Sequence, residues 1–451
     1  MVSRILFIDI GLIFSSGLMM VIAFWFSYLS FRENEKRAGR VFFLLGIFIG
    51  AVIAIVYFLA PSFVKGSFMA LPWLVLTVFI IPFRNRADAV MIEPAGRIDE
   101  RDTMLSRRLL KKGSPEYTAY YSMHPGRKEA DDAVRNKPGF LSSRSQLYHA
   151  LSFKSAQASF DTIQALMGDI DGPVREDPEV IPPFRMTRFI KSWLVKMGAK
   201  DVGITPLKDA HLYSYRGRGH NWGRKVIRDH WYAIAFTVEM DKELMDTAPK
   251  GPTIMESARK YLDAATMAIQ VARFMRELGY PARAHIDGNY EVVCPLVARD
   301  AGLGDIGRMG LLMTPRLGPR VRIGVVTTNA GLAADAFESD PAMIEFCRHC
   351  KKCAEVCPAK AIPFSDRQKI EGVLRWQINQ EKCYEYWCIS GTDCGRCMAV
   401  CPYSHADNLL HQWVRSGIRN SKLFRHVALP LDHLFYGRKP KSKPIPEWMG
   451  D

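Results

Sequence analysis

Cysteine is scarce in this chain except in one short stretch. No cysteine precedes Cys294, and nine of the ten cysteines lie between positions 347 and 401. Disulfides that hold a secreted protein together are usually spread along the chain, so this distribution argues against a disulfide framework. It favours thiolate ligation of metal instead.

The chain also lacks a long block of lysine and arginine with interleaved aromatic residues, although its formal net charge is +15. Nucleic acid is therefore not an expected partner. Attraction of the basic surface to anionic membrane lipid is the simpler expectation. With 451 residues, the chain is long enough for two or three domains.

Charge is nearly absent from three apolar runs within the first 83 residues, which are Ile5 to Phe31, Val41 to Ala60 and Ser67 to Phe83. A membrane span needs roughly 20 apolar residues, so the first two runs are long enough and the third is marginal. A cleaved signal peptide would have one short apolar stretch. We therefore expect a membrane anchor of three transmembrane helices at the N-terminus.

Basic residues flank these runs unevenly. The first loop contains Arg32, Lys36, Arg37 and Arg40, the second contains only Lys65, and basic residues recur after the third run from Arg84 and Arg86 onward. The positive-inside rule then places the first loop and the catalytic part in the cytoplasm. The expected location is the cytoplasmic (inner) membrane, with several passes through the lipid.

Two cysteine runs carry the clearest chemistry. "CRHCKKCAEVCP", starting at position 347, follows C-x2-C-x2-C-x3-C-P, and Cys394, Cys397 and Cys401 form a second run that also ends in Cys-Pro. Paired runs of this kind are typical of a ferredoxin-like module with two [4Fe-4S] clusters, in which the last cysteine of each run binds the other cluster. The predicted ligands of the first cluster are Cys347, Cys350, Cys353 and Cys401. Those of the second are Cys357, Cys394, Cys397 and either Cys383 or Cys388.

A glycine-rich stretch from Gly302 to Gly307 fits G-x-G-x-x-G, the fingerprint of dinucleotide binding. That fingerprint requires a strand leading into it and a later acidic residue, and neither is evident here. The stretch can still bring the backbone close to a cofactor that carries phosphate. The candidate cofactor-binding residues are Gly302, Gly304, Gly307, Gly310, Gly318 and Arg320.

Several stretches together resemble the reductive dehalogenases, which are corrinoid and iron–sulfur enzymes that remove halogen from organohalides. The matching stretches are residues 97–107, residues 301–323, the first cysteine run and residues 382–404. The likeness extends from about position 95 to 410. It implies an α+β fold, with a nitroreductase-like α/β core for base-off cobalamin followed by the two-cluster module.

The resemblance also implies roles for individual residues. Tyr261 matches the catalytic tyrosine and Arg322 the arginine beside it, while Cys383 rather than Cys388 matches the remaining cluster ligand. An arginine can stabilise the phenolate of a tyrosine, whose pKa is otherwise near ~10.

Further pocket candidates lie in two loops. His285 and Asp287, in "AHIDGNY", are candidates to line the same cavity, as are the loop aromatics Tyr213, Tyr215 and Trp222.

The expected domains are a membrane anchor at 1–83, the N-terminal part of the soluble domain at 84–184, a corrinoid-binding catalytic core at 185–340, the ferredoxin-like module at 341–405 and a C-terminal tail at 406–451. The resemblance implies a membrane-bound reductive dehalogenase for an organohalide substrate. Its electrons would come from the quinone pool or a ferredoxin, pass through two [4Fe-4S] clusters and reach cobalamin, and Tyr261 would supply the proton.

Two alternatives remain. An epoxyqueuosine reductase-like enzyme shares the corrinoid core, but it uses an aspartate in place of Tyr261 and would not need membrane spans. A membrane-bound ferredoxin-type electron-transfer subunit would leave the large core without a function.

Overall fold

The computed structural model describes residues 2–80, 96–337 and 339–450. They fall into two compact units. The first contains residues 2–80 with 406–440, and the second contains residues 96–405 with 441–450.

The helices are, in chain order, α1 (Val2–Arg32), α2 (Lys36–Leu59), α3 (Ser62–Ile80), α4 (Met104–Arg107), α5 (Pro115–Met123), α6 (Lys128–Arg135), α7 (Ala150–Ala165), α8 (Pro183–Met197), α9 (Lys242–Asp246), α10 (Gly251–Glu277), α11 (Cys294–Asp300), α12 (Pro341–Cys350), α13 (Lys352–Val356), α14 (Gln380–Ser390), α15 (Arg396–Ala399), α16 (Leu409–Asn420) and α17 (Lys422–Tyr436). The strands are β1 (Asp201–Pro206), β2 (Tyr232–Glu239), β3 (Ala282–His285), β4 (Asp305–Ile306), β5 (Leu312–Met313), β6 (Val321–Thr328), β7 (Gln368–Ile370) and β8 (Val373–Arg375).

The first unit begins with the three apolar runs as helices α1 to α3. Two stretches among the described residues, Phe7–Arg32 and Lys36–Leu59, are long and apolar enough to cross a membrane. Only 22% and 17% of their most apolar windows are buried, so most of this apolar surface is open. The third predicted run falls on α3 as far as Ile80; positions 81–83, Arg84 and Arg86 lie outside the described residues.

The same unit contains the segment that the sequence predicts as a C-terminal tail. Residues 409–436 form α16 and α17, residues 437–446 have no regular structure, and a short 3-10 helix follows at Glu447–Met449. The helices form because Asn408 and Ser421 cap their N-termini, accepting hydrogen bonds from the backbone N–H of His411 and Phe424. The predicted C-terminal tail at 406–451 therefore begins with two helices, and its boundaries remain a prediction.

The second unit is built on an antiparallel sheet with strand order β1-β2-β6-β3. The inner strands β2 and β6 are rich in β-branched and small apolar residues, which suits strands covered on both faces. Helix α10 packs on the sheet through small buried residues that include Ala265, Ala268 and Ala272. Residue patterning predicts strands at 201–205 and 321–327 and a long helix at 253–278. The structure confirms them as β1, β6 and α10.

The glycine-rich stretch allows close packing before β6. Gly318 has a positive φ of 54°, and a Cβ at this position would lie 2.5 Å from the Cβ of Tyr403. Gly304, with φ of 153°, would place a Cβ 2.2 Å from the carbonyl oxygen of Met313. Only glycine fits these two positions. The contact of Gly318 also fixes β6 against the segment that follows Cys401.

Candidate active site

A cavity of about 470 Å³ lies beside the long helix α10. Phe140, Phe160 and Trp387 form an aromatic wall, with ring centroids 6.1 Å apart for the first pair and 6.0 Å apart for Phe140 and Trp387. Tyr261 lines the cavity too, 6.4 Å from Phe160. A smaller cavity of about 180 Å³ shares Tyr261 with the larger one. Apolar walls with a few polar groups are typical of ligand sites.

Tyr261 and Arg322 are brought together, as the resemblance predicts. Tyr261 lies on α10 and Arg322 on β6, and the guanidinium carbon is 4.6 Å from the centroid of the tyrosine ring. The charge of Arg322 is the largest single influence on the pKa of Tyr261, and it lowers that pKa. Burial and the charges of Asp287 and Asp393 together raise the pKa by more than Arg322 lowers it, so the net pKa is above its usual value. The tyrosine therefore holds its proton at neutral pH.

Two residues that the sequence analysis missed complete this arrangement. Arg322 Nη2 donates to Asp393 Oδ2 at 2.8 Å and to the hydroxyl of Ser257, and Ser257 Oγ donates to the same Asp393 oxygen. Burial raises the pKa of Asp393, against the effect of Arg322. Ser257 precedes Tyr261 by one helical turn, and Asp393 precedes Cys394, so both lay next to positions already singled out.

Asp287 lines the larger cavity, as predicted, and has a cationic partner there. Arg218 lies 3.4 Å from Asp287 and 2.9 Å from Glu100, and it lines both cavities. Burial lowers the pKa of Arg218, but the charges of Asp287 and Glu100 raise it more, so the net shift is upward. Arg218 is thus a further site residue that the sequence analysis did not select.

His285 and Arg320 do not line either cavity. The ring of His285 is buried between Thr327, at 2.9 Å, and the backbone N–H of Glu291. Burial holds the pKa of His285 well below its usual value. Arg320 donates to the carbonyl of Ser404 at 3.0 Å and pairs with Glu239 at 2.8 Å. Both contacts serve packing of the core.

Of the predicted glycines and loop aromatic residues, only Tyr213 lines one of the two cavities. None of the five predicted glycines lines the two cavities described above. Tyr213 lines the smaller cavity. Tyr215 and Trp222 instead pack against Arg101, whose guanidinium carbon is 4.3 Å and 5.7 Å from their ring centroids. The cofactor roles assigned to the glycines remain predictions.

The thiols group as the first predicted cluster requires. Burial raises the pKa of the Cys401 thiol, and the thiols of Cys347, Cys350 and Cys353 raise it further. These influences agree with one shared site for the four thiols, and the ligand set remains a prediction. Among the described residues, no three ligand-type side chains converge on a point suited to a single ion. Cluster ligands need not do so, since each binds a separate corner.

The second group includes Cys383 but not Cys388. After burial, the thiols of Cys394, Cys353, Cys383 and Cys357 raise the pKa of Cys397.

Cys388 is 4% exposed and packs with Met104, Val134 and Tyr384, and burial raises the pKa of its thiol. This placement favours Cys383 as the eighth thiol.

Comparison with protein families finds one match for this region. Residues 346–405 match the model of the 4Fe-4S dicluster domain. The match includes all eight thiols of the two groups, and it agrees with the ferredoxin-like module predicted at 341–405.

Curated relatives extend the similarity into the core. The tetrachloroethene reductive dehalogenase of Sulfurospirillum multivorans is 32% identical over 301 residues, which cover 59% of this chain and 60% of that protein. An enzyme of the same name from Desulfitobacterium hafniense is 35% identical over 193 residues, covering 40% of this chain and 34% of that protein. The chain therefore spans less than two thirds of the relatives it matches. Epoxyqueuosine reductase of Lactococcus garvieae is 30% identical over 117 residues, 25% of this chain and 32% of that protein.

The fold is found in a solved structure. The catabolic reductive dehalogenase NpRdhA superposes with a TM-score of 0.65 at 23% sequence identity, over 79% of this chain and 49% of that chain. The superposition, the sequence similarity to the curated relatives and the match to the dicluster domain all indicate the same kind of protein. On these grounds the chain is similar in sequence and in fold to the reductive dehalogenases.

Proposed function

We propose that the chain removes halide from an organohalide by reduction. In this reaction two electrons and one proton enter, the carbon–halogen bond breaks, a carbon–hydrogen bond forms and halide leaves. The observation that carries the proposal is the pair of Tyr261 and Arg322, which lies at two cavities and is linked through Asp393 to the cysteine-rich segment. A proton donor and an electron path thus meet at one place.

Tyr261 is the proposed proton donor. Its raised pKa keeps the hydroxyl protonated at neutral pH, and no described residue forms a hydrogen bond with this hydroxyl. The proton is therefore available to a substrate in the cavity. Arg322, the largest single influence on the tyrosine, would stabilise the phenolate that remains after transfer.

The eight grouped thiols are the proposed ligands of two [4Fe-4S] clusters. Cys383 completes the second set because its thiol lies near Cys357, whereas Cys388 belongs to a packed apolar cluster. These two clusters would deliver the electrons, one after the other, toward the cavities.

The residues around the cavities also suit a corrinoid. Asp393 Oδ1 and Arg322 Nε are buried without a hydrogen-bond partner, and a corrin ring carries amide groups that can donate to the first and accept from the second. Asp287 and Arg218 offer further polar contacts. When bound, the corrinoid would supply the reduced cobalt that carbon–halogen cleavage needs. The base-off form and the predicted glycine contacts are part of this proposal.

The location proposed is the cytoplasmic membrane, with three N-terminal spans in contact with lipid and the catalytic unit on the cytoplasmic side. The open apolar surface of α1 and α2 supports it, since soluble proteins rarely expose such an area. The proposed electron donor is the quinone pool or a ferredoxin.

The first test is metal content. Protein purified without oxygen and reconstituted with corrinoid should contain about eight irons and one cobalt per chain, and should release halide from organohalides when reduced. Iron without cobalt would contradict the proposal and leave an electron carrier.

A matched pair of variants tests the cluster ligands. Cys383→Ser should lose roughly half of the iron, because one cluster loses a thiolate, whereas Cys388→Ser should retain all of it. Iron analysis and the electron paramagnetic resonance of the reduced protein distinguish the two. Iron loss in the second variant alone would reverse the assignment.

A further inference from the structure

The two C-terminal helices of the first unit expose an apolar face. On α17, Leu423, Leu431 and Leu434 are 54%, 41% and 50% exposed. They recur at intervals of eight and three residues, so they lie on one side of the helix. On α16, Leu409 and Trp413 are 70% and 44% exposed, one turn apart. An apolar face of this size in the open usually has a partner.

Other residues of α17 are packed within the unit. Phe424 and Ala428 are buried, and Trp413 packs edge-on against Phe424 with ring centroids 5.5 Å apart. The ring of Phe435 stacks on Phe42 of α2 at 4.2 Å. The open face is therefore not the result of a helix that lacks contacts. The buried residues Phe424 and Ala428 hold α17 in place, while Leu423, Leu431 and Leu434 remain exposed.

These contacts place α16 and α17 beside the start of α2. Arg37 Nε donates to the carbonyl of Leu434 at 3.0 Å. Glu33, in the loop before α2, accepts from Asn408 Nδ2, and it lies 3.4 Å from His411 Nε2. The helices that expose this face thus pack beside a helix that is apolar enough to cross a membrane.

Length and charge define how such a face would meet lipid. Helices of 12 and 15 residues reach only about 18 and 22 Å, which is short of the roughly 30 Å hydrocarbon core, so neither can span it. Exposed basic residues also lie near both ends of the segment and in the first loop: Arg32, Lys36, Arg40, Arg419, Lys422 and Lys439. Basic residues that flank an apolar face are typical of helices lying on anionic lipid.

We propose that α16 and α17 form an interfacial segment that lies in the surface of an anionic bilayer next to the first loop. This proposal rests on the proposed membrane location of the N-terminal helices. The first unit would then contact the membrane through α16 and α17 as well as through its N-terminal helices.

Tryptophan quenching tests the proposal in the full-length, cofactor-loaded protein. The protein is placed in nanodiscs of anionic lipid with either brominated or ordinary acyl chains, and emission is compared for wild type, Trp413→Phe, Trp25→Phe and Trp448→Phe. Trp25 lies on α1 and is 45% exposed, whereas Trp448, 68% exposed, lies in the second unit. The emission lost in each variant reports on that one indole.

We expect bromine to quench the Trp413 component by half or more, since an interfacial helix buries its apolar face about 5–10 Å deep. The Trp25 component should be quenched as well, and the Trp448 component should not. Replacing anionic lipid by zwitterionic lipid should weaken quenching of Trp413 but not of Trp25. If Trp25 is quenched and Trp413 is not, the helices face water or another protein, and the proposal fails while the membrane location stands. If Trp25 is not quenched, the membrane location fails and takes this proposal with it.

Discussion

Two regions of the second unit combine a tyrosine, an arginine and an aspartate in different ways. In the region of α4 to α6, the hydroxyl of Tyr121 donates to Asp131 at 2.8 Å, and Arg107 pairs with the same carboxylate at 2.9 Å. Burial raises the pKa of Tyr121, and the hydrogen bond to Asp131 adds to this effect. The proton of this tyrosine is held by the protein itself.

At the cavity, the carboxylate of Asp393 is occupied by other donors. Arg322 and Ser257 both donate to it, and Tyr261 lies over the guanidinium of Arg322 without a hydrogen bond to this carboxylate. The hydroxyl that donates to the aspartate therefore belongs to Ser257 at the cavity, whereas it belongs to Tyr121 in the other region. The hydroxyl of Tyr261 remains open to the cavity, and this difference separates a structural tyrosine from a proposed proton donor.

The largest expected effect is on catalysis. Tyr261→Phe removes the proposed proton donor and should lower the turnover rate by about 10²- to 10⁴-fold, the range typical of general acid catalysis. Tyr121→Phe is the control, and it should retain the turnover rate. Halide release is measured at equal cobalt and iron content. Equal losses in both variants would show that the comparison of the two tyrosines is mistaken.

The next effect concerns the buried ion pairs. Asp393→Asn leaves Arg322 without a carboxylate and should cost about 3–5 kcal/mol of stability, because breaking a buried pair strands a charge. Asp131→Asn should cost less, since Arg107 keeps Glu381 at 2.8 Å. Thermal unfolding midpoints measure the difference. A larger drop for Asp131→Asn would contradict this ranking.

A smaller effect is expected from Ser257→Ala. The variant removes one hydrogen bond to a charged carboxylate, which contributes about 1.5–3 kcal/mol. Ser257→Thr keeps the hydroxyl and should recover the loss measured by thermal unfolding. Failure of threonine to recover stability would indicate that packing, and not the hydrogen bond, sets the cost.

The smallest expected effect is a change in pH dependence near Tyr120. Burial, supported by the hydrogen bond to Asp102, raises the pKa of Tyr120 to about 12. Because the folded pKa exceeds the unfolded value near ~10, the contribution to stability is complete below pH ~10 and is lost as pH rises toward about 12. Tyr120→Phe should flatten the fall in melting temperature over this range. An unchanged slope would assign the alkaline loss to other groups.

Sequence spacing predicted the parts of this protein that depend on short-range pattern. The paired cysteine runs predicted a ferredoxin-like module, and residues 346–405 match the 4Fe-4S dicluster domain, because ligand spacing is a local property. The apolar runs form helices, which also depend on a pattern within a short stretch of the chain. The glycine-rich stretch was harder to interpret, since Gly304 and Gly318 can serve close packing as well as cofactor binding. Both uses require the same residue type.

The sequence by itself determined two apolar helices capable of spanning a membrane, a cysteine-rich module and the strands and long helix of the core. Each follows from periodicity or spacing over a few residues. Only the tertiary structure decided which hydroxyl donates to Asp393, because Ser257 and Asp393 are 136 positions apart and Ser257 and Arg322 are 65 apart. Their meeting depends on which face α10 turns to β6. No local pattern in the chain encodes that orientation, because it results from packing of the whole core.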